Sequence, residues 1–226
     1  LTAAERGALL ARVLWVGGAQ WAGKSTVAQL IAARYGLILY AYDFHDARSH
    51  ADRARQQPDR FPHHHRWLTD LARGPNSVWL TPTPAEMADA ALLAFAERFA
   101  MVLDDLAALP PCATILAEGW GLRPALIAPL LPDRQRAVFL LPGESFRRQQ
   151  LAALPRAGAL AVPGLNDPER AQRQRLERDR LLAQDVEQSA RELGLRLIVV
   201  DGTRNAAEIA ADVEQQFQPF LPVWIY

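Results

Sequence analysis

The stretch Gly18-Ala19-Gln20-Trp21-Ala22-Gly23-Lys24-Ser25, with Thr26 after it, constrains this chain more than any other. Its glycines, lysine and hydroxyl fall at the spacing G-x-x-x-x-G-K-[ST]. Ahead of it, Val13-Leu14-Trp15-Val16 reads as a buried strand, and Gly17 breaks the run. Behind it, Val27, Leu30 and Ile31 share one face of a helix that Gly36 closes. Gly18 and Gly23 allow backbone angles that a residue with a Cβ resists. The turn can therefore wrap its N–H groups around a phosphate, and the helix N-terminus adds partial positive charge. Lys24 can reach β- and γ-phosphate oxygens, and the Ser25 hydroxyl can ligate Mg²⁺. The bland alternative is a glycine-rich turn with an incidental lysine; the strand and helix on either side argue against it.

The 226 residues suit one α/β domain, and half of them are hydrophobic, enough for a sizeable core. A formal net charge of zero argues against a general binder of nucleic acid or membrane surfaces. No apolar run approaches membrane-spanning length. No basic segment followed by an apolar one is visible as a secretory leader. The start at Leu1 rather than Met leaves room for a few native residues upstream. The single cysteine, Cys112, excludes an internal disulfide and fits a reducing cytoplasm.

Thr2-Ala3-Ala4-Glu5 is a capping-box pattern that opens a short helix to about Arg12. After the phosphate loop and its helix, Leu37 to Ala41 reads as a second strand that ends at Tyr42-Asp43-Phe44-His45-Asp46. Ligands of open α/β sheets gather at the carboxyl ends of strands. Asp43 is thus a candidate to orient or deprotonate a substrate hydroxyl, with His45 and Asp46 weaker candidates. An exposed turn aspartate or a helix cap is the alternative. Residues 47 to 82 are the least regular, with arginines interleaved among Phe61, Trp67 and Trp79. They read either as a solvated, partly helical surface or as a substrate cap with aromatic walls. His63-His64-His65 cannot share one face of a helix or strand, so the run makes a poor metal site.

Thr83-Pro84-Ala85-Glu86 opens a long helix whose stripe of Leu92, Phe95, Phe99, Val102 and Leu106 belongs to the core. Ala113 to Ala117 is the third strand, tipped by Glu118-Gly119, a position for an acid that holds Mg²⁺ or orients a nucleophile. Arg123 can bind an anionic or hydroxylated substrate, or form an ion pair. Arg136 to Leu141 is the fourth strand, and Glu144 to Leu154 the helix after it. A link rich in glycine and proline leads to a helix opened by Asn166-Asp167-Pro168-Glu169, whose arginines read as a solvated face or a lid. Leu195 to Val200 is the fifth strand, and Asn205 caps the last helix. The apolar tail from Phe220 to Tyr226 packs on the body or on a second copy, as in a homodimer.

With these pieces, the chain from about Arg12 to Phe217 resembles the P-loop small-molecule kinases. That group includes nucleoside monophosphate, shikimate and gluconate kinases and chloramphenicol phosphotransferase. The resemblance implies a three-layer α/β/α fold around a parallel five-stranded sheet in the order 2-3-1-4-5. A helical cap at about 44–110 and a lid at about 143–180 belong to the same single domain, 1–226. It implies that Gly18, Ala19, Gln20, Trp21, Ala22, Gly23, Lys24, Ser25 and Thr26 bind ATP, and that Ser25 and Glu118 organise Mg²⁺. Asp43 then meets the acceptor, a small-molecule hydroxyl, beside Arg123 and Glu118. Lid arginines fall among Arg147, Arg148, Arg156, Arg175 and Arg178, with Arg148 joining Lys24 and Asp43 as a catalytic residue. Val200-Asp201-Gly202-Thr203 resembles the adenine-side loop. The chain departs from its named relatives in using Glu118 where aspartate is commoner. It also lacks the shikimate-kinase glycine run, the adenylate-kinase Asp-Gly-Phe-Pro-Arg and any familiar cap sequence. The rivals are a hydrolytic switch, disfavoured by the absence of Asn-Lys-x-Asp for guanine, and a non-catalytic nucleotide-binding module, disfavoured by intact Lys24, Ser25 and Glu118.

Overall fold

The computed structural model describes residues 2–155, 159–160 and 162–222. Five short apolar runs form β1 (Val13–Gly18), β2 (Ile38–Ala41), β3 (Ile115–Glu118), β4 (Ala137–Pro142) and β5 (Arg196–Val200). All pairings are parallel, and the order β2-β3-β1-β4-β5 is the one expected from the sequence. Val16 and Ala41 both pair with Glu118, so the carboxyl ends of β1, β2 and β3 lie level.

Side chains alternate across a strand, so each face of the sheet gathers its own core. Val13 and Trp15 of β1 join Phe95, Phe99, Val102 and Leu106 of α7 (Pro84–Ala107) and Leu182 and Val186 of α10 (Pro168–Glu192). Leu14 and Val16 point the other way, to Val27 and Ile31 of α2 (Lys24–Tyr35) and Ile209, Val213 and Phe217 of α11 (Ala206–Phe217). The result is three layers, helices on both faces of a parallel sheet.

The helix starts follow local chemistry. Thr2 with Glu5, Thr83 with Glu86, and Asn205 with Glu208 all form complete capping boxes, and the Asp167 side chain accepts from the Arg170 N–H ahead of α10. α1 (Ala3–Leu10) stops at Leu10 rather than Arg12. Arg12 turns away and donates to the carbonyls of Leu106 and Leu109 at 3.1 and 3.3 Å, satisfying groups at the end of α7.

Residues 47–82, the least regular stretch by sequence and readable as a partly helical surface or cap, are mostly helical together with the residues just before them: α3 (Tyr42–His45), a π-helical turn at Asp46–His50, α4 (Ala51–Gln56), α5 (Pro62–Arg73) and α6 (Pro75–Trp79). α7 holds this layer in place through two carboxylates. Glu97 accepts from the backbone N–H groups of His63 and His64, both at 2.9 Å, so it caps α5, which has no side-chain cap of its own. Asp105 gathers the Tyr40 hydroxyl at 2.8 Å, His50 at 2.9 Å and Arg53. Partial burial alone would raise the Asp105 pKa; the bonds from His50, Arg53 and Tyr40 outweigh it and hold the carboxyl at about 2.

His63 is exposed, His65 half-buried and His64 buried, and among the described residues no histidine, cysteine and acid group could hold a metal ion by itself. Among the described residues, no helix is long and apolar enough to cross a membrane. Leu221 is buried and Phe220 lies under Arg136 at 3.9 Å, so the start of the tail packs on the body; residues 223–226 lie outside the described residues.

Candidate active site

The loop between β1 and α2 takes its shape from three left-handed or near-left-handed positions. Gly18 has φ 125° and Gly23 φ 76°. A Cβ on Gly18 would lie 2.1 Å from the Leu140 carbonyl, so the loop's close approach to β4 requires glycine there. Gly23 faces open space, and a Cβ on it would touch nothing within 4 Å. Trp21 is the third, at φ 63°, a conformation that costs a bulky side chain roughly 1–3 kcal/mol. Its ring lies 6.0 Å from the Arg175 guanidinium of α10. Strain of this kind in the turn between β1 and α2 marks a segment whose shape is fixed by its surroundings.

Lys24 opens α2 with its side chain buried, and its Nζ donates to the Ala19 carbonyl at 2.6 Å. Ser25, next along, is exposed and donates from Oγ to Glu118 Oε2 at 3.1 Å. Glu118 is itself buried at the tip of β3. Asp43 sits in the first turn of α3, where β2 ends. Lys24, Ser25, Glu118 and Asp43 thus come together on the level carboxyl ends of β1, β2 and β3.

Their charges are coupled. Burial lowers the Lys24 pKa, opposed by the nearby charges of Asp43 and Glu118. Burial raises Glu118, with Lys24 and the Ser25 hydrogen bond pulling the other way and Asp43 adding to the rise. Asp43 is reachable by water, yet protein crowds it on most sides, and that loss of hydration raises its pKa. Lys24 and a hydrogen bond from the Trp120 amide offset part of the rise, and Asp46 adds to it. A carboxylate shifted upward is a better proton acceptor at neutral pH than an ordinary one.

A cavity of about 280 Å³ adjoins the loop on its β4 side, lined by Gln20, Trp21, Gly143, Arg147, Asp179 and Val199, among others. Arg147 faces this cavity, while its neighbour Arg148 is exposed on α9 (Glu144–Ala153). Gly202, in the loop expected on the adenine side, is packed by the Phe146 ring of α9, 3.0 Å from where a Cβ would be.

Other arginines named from the sequence are committed elsewhere. Arg123 is buried, with its guanidinium bonded to Asp185 and to the Leu182 carbonyl of α10, so it forms an ion pair whose cation is buried and whose acid is partly exposed. Arg178 donates from Nε and Nη2 to Asp179 at 2.9 and 2.6 Å. Arg156 lies outside the described residues.

Three groups beside Asp43 were not singled out from the sequence: Arg98, the Trp120 amide and the ring of Tyr42. Arg98 falls on the apolar stripe of α7, between Phe95 and Phe99, and a cation placed on such a stripe is the signal that marks it. It donates to Asp46 at 2.5 Å and lies 4.9 Å over the Phe95 ring.

No protein-family model matches the sequence, and no curated protein matches it. Among the solved structures that match is a shikimate kinase from Acinetobacter baumannii in complex with shikimate. It aligns over 92% of this chain and 93% of its own at 16% sequence identity, with a TM-score of 0.46. That likeness is too loose to carry a statement about chemistry; the three-layer fold stands on the sheet order and on the helices covering both of its faces.

Proposed function

We propose that the protein is a Mg-ATP-dependent kinase that transfers the γ-phosphoryl group to a hydroxyl of a small molecule. The observation that supports this most is the meeting of Lys24, Ser25, Asp43 and Glu118 at one end of the sheet, beside a loop in which Gly23 faces open space. Residues 18 to 26 take the triphosphate, their N–H groups and Lys24 meeting its oxygens. Ser25 Oγ and a Glu118 oxygen already converge, and hard oxygen donors of this kind suit Mg²⁺. When bound, the ion neutralises phosphate charge.

Asp43 has the position and the raised pKa to receive the acceptor's proton. In the reaction, a bond forms between the acceptor oxygen and the γ-phosphorus. The bond from that phosphorus to the bridging oxygen breaks, and the hydroxyl proton passes to Asp43. The products are a phosphate monoester and ADP. Arg148 of α9 is assigned to the transferring phosphoryl group, with Arg147 beside it at the cavity. The helices of residues 42–79 serve as the acceptor's cap.

The test is ADP release, measured with and without candidate acceptors. Release that depends on the acceptor supports the kinase. Release at the same rate without any acceptor points to a hydrolytic switch, and no release together with no nucleotide binding removes the reading.

A further inference from the structure

The loop between β1 and α2 divides the carboxyl end of the sheet. Asp43 and Glu118 lie on its β2–β3 side, and the cavity of about 280 Å³ lies on its β4–β5 side. Leu141 of β4, Val199 of β5, Ala183 of α10 and Trp21 of the loop give that cavity apolar lining. Val199 is 54% exposed, so α10 leaves this part of the sheet open. Arg147 of α9 and Asp179 of α10 bring charge to the same cavity. Among the described residues, none of Val200 to Thr203 lines it. That segment closes on itself instead, the Thr203 N–H and hydroxyl donating to Asp201 at 2.9 and 2.7 Å.

Asp179 is the member that points to a ligand. It is buried, and Arg178 donates twice to its Oδ1, at 2.9 and 2.6 Å. Its Oδ2 is buried too and has no hydrogen-bond partner. Burial raises the pKa of this carboxyl, and the charges of Arg178, Arg175 and Arg147 oppose the rise. Arg147, across the cavity, donates to Glu144 at 3.2 Å. A buried acceptor left without a donor destabilises the folded chain, and a ligand that brings a donor recovers the loss. The volume lies near the lower end of the roughly 300–1,000 Å³ that small-molecule sites occupy, and an apolar lining with a few polar groups is what such sites use. A flat ring system carrying N–H or O–H groups suits it, with the Trp21 indole as an apolar partner.

Resting on the kinase reading above, we propose that this cavity takes the nucleoside end of the phosphate donor and that Asp179 is a specificity-determining residue for it. Asp179 Oδ2 accepts from an N–H or O–H of the nucleoside, while Oδ1 keeps Arg178. The nucleoside then lies over the β4–β5 half of the sheet, the triphosphate in the turn, and the acceptor's hydroxyl at Asp43 on the β2–β3 half. Recognition rests on α10 rather than on the Val200–Thr203 segment expected from the sequence.

Four ligands titrated by calorimetry into the full-length chain, in buffer containing Mg²⁺, test this. They are inorganic tripolyphosphate, ATP, an ATP analogue without the exocyclic amine (purine riboside triphosphate) and an ATP analogue without either ribose hydroxyl. ATP is expected to bind at least about tenfold tighter than tripolyphosphate. At least one analogue should lose about tenfold against ATP, the usual scale for a hydrogen bond to a charged group, and the one that does names the donor, base or ribose. Asp179→Asn leaves an oxygen for Arg178 and puts an amide donor where the nucleoside needs an acceptor. ATP should weaken about tenfold in that variant, while the affected analogue changes less than about twofold. ATP binding no tighter than tripolyphosphate, both analogues matching ATP in the wild type, or ATP and the affected analogue weakening equally in a folded variant overturns the proposal. Should Asp179→Asn melt early, the wild-type analogue comparison decides alone. Tripolyphosphate reports on the kinase reading separately: if it fails to bind, that reading falls, whereas its binding beside an ATP no tighter than itself removes only the nucleoside site.

Discussion

The ring of Tyr42 lies on Gly121 so closely that a Cβ there would sit 2.2 Å from Tyr42 Cζ and 2.5 Å from its hydroxyl oxygen. Tyr42 precedes Asp43, and Gly121 follows Trp120, whose amide bonds the Asp43 carboxylate. One tight contact therefore joins the end of β2 to the segment after β3. We predict that Gly121→Ala forces the ring to move and costs about 1–3 kcal/mol of stability. Urea unfolding measures it, and a loss under about 0.5 kcal/mol would show that the ring yields freely.

Lys24→Ala removes the cation that sits among Asp43, Glu118 and the Ala19 carbonyl of the β1–α2 loop. Acceptor-dependent ADP release should fall by roughly 10²–10³ or more, the usual loss when a preorganised donor to a phosphoryl or oxyanion group is deleted. Steady-state kinetics beside a thermal melt separates this from unfolding. Retained turnover in a folded variant would remove Lys24 from the reaction.

Asp43→Asn keeps the shape and the Trp120 amide contact but takes away the proton acceptor. Turnover should drop by about 10²–10⁴, while Mg-ATP affinity stays within about twofold. Calorimetry for the nucleotide and single-turnover assays for transfer check the split. Full turnover on the true acceptor would sink the role given to Asp43.

Asp105 supplies a pH signature. Its folded pKa of about 2 lies below the ordinary 3.8, so the unfolded chain binds more protons in that interval. The stabilisation is complete above the unfolded value and fades as pH falls from 3.8 towards about 2. At 1.36 kcal/mol per unit it amounts to about 2 kcal/mol. Unfolding free energies measured across that range should decline in the wild type and decline less in Asp105→Asn. Parallel curves for the two would mean that the bonds from Tyr40, His50 and Arg53 contribute nothing net.

Much of this architecture can be read along the chain because its signals are local. The loop spacing, the five apolar runs and the three capping boxes each sit within a few residues of one another, and each turns up where the spacing predicts it. The cap layer was hard to read for the opposite reason. α5 begins at Pro62 with polar residues, and the acid that caps it, Glu97, is 34 positions away from His63. Arg123 likewise finds Asp185 at a separation of 62, and nothing near it in sequence separates an ion pair with α10 from a substrate contact. Glycine at 119 and 121 is demanded by the Tyr42 ring, which β2 brings in from 77 or more positions away. The acids at the strand tips were visible because strand ends can be found from sequence. The arginine partners were not, because charge pairing across helices leaves no periodic trace.

The bond from Lys24 to the Ala19 carbonyl has a consequence for how a phosphate group would arrive on the proposed kinase reading. The ammonium is not waiting in water; it staples the first residues of the loop to the first turn of α2. A phosphate entering the turn takes that proton donor in exchange for a carbonyl, so the loop is already folded before its guest appears. Binding should then proceed as a swap of partners on a standing scaffold, with little of the ordering cost that a floppy turn would impose.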